Sequence, residues 1–242
     1  MDNGNVSAVH KLNQWKESLH EESMKLLSES FPEHMRRIEM ALQHPKFSME
    51  QYEKFTRNTA LYYFNCSEMG TGTSEERHLA FVELLNSNRY IAELHSVVKP
   101  IFIDSIFLLE QLSRWITLLI PKMETGDNLG VATQEAAISL TNQVSVSANA
   151  LLKWIFEFRK QRSKLLVTFM SSPFIEEKKD GILSFDKAEV ESLALSLKGL
   201  IYNFAYVHDF VKKNMDQITL PRSSDTYDIL TFLEHHECGR DK

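Results

Sequence analysis

The chain has 242 residues, 43% hydrophobic and 25% charged, with a formal net charge of −6. This is enough length for one large or two small domains with a buried core, and the acidic balance gives no electrostatic attraction toward nucleic acid or anionic lipid. Eight Gly and six Pro favour long helices over an all-β fold, and Cys66 and Cys238 have neither disulfide nor metal-ligand spacing, which fits free thiols in a reducing compartment.

The polar start, Met1-Asp2-Asn3-Gly4-Asn5, carries no secretory signal, and no apolar run approaches membrane-spanning length. The expectation is an intracellular soluble protein. Val9, Leu12, Trp15, Leu19, Ser23, Leu26 and Phe31 recur at helical spacing, and Met35, Ile38 and Leu42 continue the stripe past Pro32. This predicts a helix over about 6–43 with a kink or restart at Pro32. A less periodic segment, 45–74, follows; its Tyr52, Phe55 and Tyr62 to Phe64 predict that part of it packs as a helix.

Ser74 with Glu75 and Glu76 reads as a helix start. From there Tyr90 or Ile91, Leu94, Val98, Ile101, Leu108, Leu112, Trp115 and Leu119 form a stripe to about 120, with a kink expected at Pro100. The next helix, about 131–170, shows Ala132, Ala136, Leu140, Val144, Ala148, Leu151, Ile155, Phe158, Leu165 and Phe169 on one face. Ser171-Ser172-Pro173 ends it, and Glu176 to Gly181 reads as a solvated charged turn. The last helix, about 186–219, takes Asp186 as its cap. Val190, Leu197, Phe204, Val211 and Ile218 fall seven apart, which predicts left-handed, near-parallel packing. Leu193, Leu200 and Val207 widen that stripe beyond one seam, and part of that width is expected to be buried between copies of the chain. The fold class expected is all-α, a four-helix bundle.

Leu119 to Glu135 interrupts this pattern. Pro121 stops one helix, Gly126 and Gly130 admit backbone angles closed to other residues, and Asp127 or Asn128 can cap the next helix. The residues alone read as a helix–helix connector.

Chemistry is otherwise sparse. Glu17/His20 and Glu75/His78 have the Glu-x-x-His spacing of di-metal bundles, but His20 falls among charged residues and Glu75/His78 at a helix start. No phosphate cradle or activated nucleophile is present, since Gly126 to Gly130 follows no strand. The reading is a non-enzyme with no cofactor and no metal.

Ile120-Pro121, Glu124-x-Gly126-x-Asn128-x-Gly130-Val131 and Gln134-Glu135 resemble the activation loop of the 11S regulators of the proteasome, the REG family, and most of all its gamma branch. Phe31-Pro32, Lys99-Pro100, Lys164-Leu165, Pro173, Asn214 and Pro221-Arg222-Ser223-Ser224 keep the family's order from about Ser18 to Ser224. The resemblance implies a single 11S regulator domain over 1–242, assembling into a homo-heptameric ring. It also implies ATP-independent stimulation of the 20S proteasome core particle (endopeptidase activator activity), in the nucleus, the cytoplasm or both, with neither nucleic acid nor membrane as partner.

Carried over by position, the activation loop is Lys122, Met123, Glu124, Thr125, Gly126, Asp127, Asn128, Leu129 and Gly130. Glu124, Asp127 and Asn128 are expected to face the gate, with Asp127 placing a charge where the family often has Asn. Lys153, Arg159, Lys160 and Lys164 are assigned to the outer surface or the channel lining. Family members usually end soon after the Pro-Arg-Ser-Ser stretch, whereas this chain runs on to Lys242. Its apolar Tyr227, Leu230 and Leu233, or the Lys242 carboxylate, are the expected docking elements. A homo-oligomeric helical scaffold or adaptor without gate opening is the alternative reading.

Overall fold

The computed structural model describes residues 3–59, 89–122, 125–126 and 128–222. Among these the regular structure is entirely helical: α1 Asn3–Lys25, α2 Phe31–Leu42, α3 Met49–Arg57, α4 Arg89–Leu119, α5 Leu129–Ser171, α6 Glu176–Lys213 and α7 Met215–Thr219. Cys66, Cys238, Tyr62 to Phe64 and the helix start at Ser74 to His78 lie outside the described residues.

Pro32 neither breaks nor restarts the first helical run. A π-helical turn, Leu26–Ser30, joins α1 to α2, and the Phe31 amide closes it on the Leu26 carbonyl. The proline ring collides with the carbonyl four residues back in a regular helix, and one wider turn relieves that collision. Pro100 likewise lies inside α4.

α4 packs along α5, α5 along α6, and α2 crosses onto α6. The main core forms where these faces meet. Phe31, Ile38, Leu94, Val98, Leu112, Ala148, Phe158 and the series Val190, Leu197, Phe204, Val211 and Ile218 are all buried. Each large apolar side chain removed from water contributes roughly 1.5–3 kcal/mol. A satellite cluster of Leu166, Phe169 and Ile182 closes the α5–α6 turn.

Several expectations need correction. Leu193, Leu200 and Val207, read as apolar width in excess of one seam, are already buried within the single chain at 3%, 3% and 0% exposure. Trp15 is 53% exposed rather than packed inward. In the first half of α5 the inward phase is Gly130, Gln134, Ala137 and Thr141, while Ala132 and Ala136 are exposed. Small residues on both faces made either phase readable.

Glu176 to Gly181 is helical, so Asp186 lies well inside α6 and is no cap. It is buried, and its carboxylate accepts three hydrogen bonds at 2.7–3.0 Å from the Arg162 guanidinium. Desolvation had to be met by a partner on α5, and Arg162 meets it in a bidentate pair. The run also breaks at Asn214, whose amide and side chain both donate to the Phe210 carbonyl. α7 is therefore a separate turn.

Candidate functional site

The ends of α4, α5 and α7 meet beneath the loop. α4 stops at Leu119, one residue short of Ile120-Pro121, and α5 begins at Leu129. Of the carried-over loop, Lys122, Thr125, Gly126 and Asn128 lie between the helices, all exposed. Leu129 and Gly130 belong to the first turn of α5, which shortens the loop at its C-terminal side. Met123, Glu124 and Asp127 are outside the described residues.

The two loop glycines have different physical roles. Gly126 has φ +140° with open space around it, a conformation that side chains disfavour. Gly130 is an ordinary helical residue that is needed for close approach. A Cβ there would run into the backbone O and Cα of Pro221. The expectation that Gly130 is needed for its backbone angles is replaced by a packing reason.

Asn128 occupies the N-cap of α5 but makes no side-chain capping bond. Its backbone carbonyl accepts from the Ala132 amide at 2.9 Å, and its Oδ1 accepts from the Arg222 guanidinium at 3.3 Å. The predicted cap is thus a tie to the segment that leads into the C-terminal tail. One turn on, Thr133 Oγ1 donates to Gln217 Oε1 at 2.9 Å.

Gln134 is fully buried between these strands of chain. Its Nε2 donates to the Leu119 carbonyl at 3.1 Å and to the Ile218 carbonyl at 2.8 Å. Both acceptors sit at helix C-termini, where carbonyls lack intrahelical partners. Sequence reasoning marked Gln134 as part of the loop motif and gave it no structural duty. Its position in phase with Gly130, Ala137 and Thr141 was the available signal.

Apolar side chains are also exposed at this end: Leu129 at 63%, Leu220 at 77%, Ile120 at 37% and Leu118 at 42%. The tail residues Tyr227, Leu230, Leu233 and Lys242 lie outside the described residues. The tail leaves from Pro221-Arg222, directly against the first turn of α5.

The other polar candidates fall elsewhere. Glu17 and His20 are exposed on α1, with the His20 ring 5.6 Å from that of Trp115. His208 lies on α6, its Nε2 3.0 Å from the Leu27 carbonyl, so it serves packing between helices. Lys153, Arg159, Lys160 and Lys164 are exposed on α5. Among the described residues no group of three or more His, Cys, Asp or Glu side chains is arranged to hold a metal ion, and no helix is long and apolar enough to cross a membrane.

A buried polar cluster that sequence reasoning missed lies near the start of α4. His95 Nε2 is 2.7 Å from Glu189 Oε1, and Trp154 Nε1 donates to Glu189 Oε2 at 2.7 Å. The Arg162–Asp186 pair sits one turn away along α6. Burial pushes the Asp186 carboxyl above its ordinary value, against the opposing pull of Arg162.

The family model for the proteasome activator PA28 C-terminal region matches residues 84–228, and that for the PA28 N-terminal region matches residues 6–58. Proteasome activator complex subunit 3 of Homo sapiens is 30% identical over 142 residues, which are 59% of this chain and 56% of that protein. Proteasome activator 28 of Dictyostelium discoideum is 26% identical over 147 residues, 61% of this chain and 65% of that one. The matched region thus spans little more than half the length of the subunit 3 relative.

Among solved structures, the 11S subunit of the Plasmodium falciparum proteasome, PA28, superposes with a TM-score of 0.70 at 15% identity. That match covers 92% of this chain and 98% of that one. PA26 in complex with an archaebacterial 20S proteasome gives 0.64 at 14% identity, covering 88% and 96%. At such identities the likeness is one of fold, and the family models carry the assignment. With both family regions matched over more than half of its length, the chain belongs to the PA28 family of proteasome activators, the 11S regulators.

Proposed function

We propose that this chain is an ATP-independent activator of the 20S proteasome core particle, a regulator rather than an enzyme. The packed helices form the four-helix bundle protomer of a heptameric ring. The ring docks on the end plate of the core particle through its tails, and its loops hold the gate open to stimulate peptide hydrolysis. The observation that supports this best is the seam: the loop at 122–128 and the tail after Arg222 depart from one end of the protomer, tied by Asn128–Arg222 and Gln134–Ile218. A docked tail therefore presents the loop to the same surface. The exposed Leu129 and Leu220 at that end suit a protein partner.

The mechanism is allostery by contact. An activator shifts the gate only through contacts that the open gate makes and the closed gate cannot. Glu124, Asp127 and Asn128 are the proposed contacts, with Gly126 shaping the loop. Seven weak tails docking together raise affinity without any strong single contact. Tyr227, Leu230, Leu233 or the Lys242 carboxylate would supply each tail's contact.

Fluorogenic peptide hydrolysis by core particles, with and without the purified protein, tests the proposal. Stimulation is expected, and Asn128→Tyr should abolish it while leaving ring and docking intact, because Asn128 is exposed, its bond to Arg222 lies at the surface, and the docking residues of the tail are unchanged. Docking without stimulation by the natural protein would favour the scaffold or adaptor reading. Truncation after Gly239 and after Ser224 separates the two tail anchors. Loss of docking in the shorter deletion assigns the carboxylate, and loss only in the longer one assigns the apolar segment.

A further inference from the structure

We infer that Gln134 is the positioning residue that couples tail docking to loop placement, an inference that rests on the proposed activator role. The amide faces two carbonyl oxygens, which only accept, so both Nε2 protons are committed and the amide cannot be flipped. One carbonyl belongs to Leu119, from which the chain enters the loop. The other belongs to Ile218, three residues before Pro221 leads into the tail. Gln134 itself lies on the second turn of α5, from whose first turn the loop returns. A single buried side chain thus fixes both ends of the loop relative to the root of the tail.

The same side chain leaves Oε1 buried without a hydrogen-bond partner. An apolar side chain of equal size would avoid that orphaned oxygen, so packing alone does not account for an amide here. The second donor serves the coupling: either carbonyl could be satisfied by one proton, and two are needed only to hold both. Thr133–Gln217 repeats the tie on the exposed side of the seam. Pulling on a docked tail displaces Ile218 and, through Gln134, the origin of the loop at Leu119.

Gln134→Met keeps length and volume and removes both hydrogen bonds. The rings should form and dock at the same half-saturating concentration as the natural protein, since the tails are unchanged. The plateau of stimulated peptide hydrolysis should fall about fivefold or more, the effect of a coupling lost between two sites. Thr133→Val, a change on the exposed side, should lower the plateau in the same direction by less. Should the Met variant fail to fold, the Val variant decides by the same split between plateau and half-saturation.

Amide hydrogen exchange over 120–128 in free rings gives a readout that needs no core particle. Faster exchange there is expected for Gln134→Met, well beyond any change in the amides around His95, together with a lower melting temperature from the two carbonyls left unpaired. A natural plateau in the folded Met variant, or parallel loss of docking and stimulation, overturns the coupling role. Absent stimulation by the natural protein overturns the activator reading instead, and the exchange result still decides whether Gln134 fixes the loop.

Discussion

The two ends of α4 are held by opposite kinds of chemistry. His95 and Leu119 are 24 positions apart, about 36 Å along a helix. Near His95 the helices are joined by buried charged and polar groups: Arg162 on Asp186, and His95 and Trp154 on Glu189. Near Leu119 they are joined by amides and hydroxyls, several of them exposed and, among the described residues, with no ion pair between them: Gln134, Thr133 with Gln217, and Asn128, which takes one hydrogen bond from the Arg222 guanidinium. The first arrangement fixes the register of α4, α5 and α6, because a slipped helix would strand a charge in the core. The second ties the start of the loop to the root of the tail through single hydrogen bonds. The setting of helix register and the seam of loop and tail are thus separated along one helix.

Breaking the charged end should cost the most. Arg162→Met leaves Asp186 buried without its partner, which costs about 3–5 kcal/mol when one member of a buried pair is lost. Chemical unfolding should show that loss, and replacing Asp186 with Asn in the same chain should recover part of it. A loss below 1 kcal/mol would mean the charged end is solvated and the contrast is false.

At the loop end, Gly130→Ala should destabilise by about 1–3 kcal/mol, the usual range for overpacking. The strain should concentrate where Pro221 meets α5, lowering peptide-hydrolysis stimulation more than it lowers the unfolding midpoint. An unchanged stimulation would show that the seam tolerates displacement.

His34 sits between the two ends and sharpens the pH side of the comparison. Its ring is 2.7 Å from Ser105 Oγ on α4, and burial first, then Arg37, holds its pKa down to about 4 from 6.5. The folded state therefore stays neutral where the unfolded chain takes a proton. Stability is full above pH 6.5 and is lost as the pH falls toward about 4, by on the order of 2 kcal/mol after allowance for solvent screening. Unfolding midpoints across that range, compared with His34→Gln, should show the slope in the natural chain and a flatter line in the variant. Equal slopes would assign the acid sensitivity to the charged end instead.

Periodicity and sparse Gly and Pro fixed the helical class seen in the described residues, most inward faces and, to within a residue, the interruption after Leu119. Apolar side chains at helical spacing have one way to leave water, and Pro121 stands where the apolar stripe stops and glycines follow, unlike Pro32 and Pro100, which the stripe runs through. Residue types also placed Gly126 in the loop, where its positive φ bears out the need for glycine. What remained hidden depended on neighbours distant in the chain. Asp186 reads as a cap until Arg162, on another helix, is brought against it. Leu193, Leu200 and Val207 read as surplus until α6 is seen buried on more than one side. Gly130 and Gln134 acquire their reasons only from Pro221 and Ile218, more than 80 positions away. A sequence pattern reports which face of a helix is apolar, whereas close approach and paired polar groups belong to two segments at once, so the fold decides them.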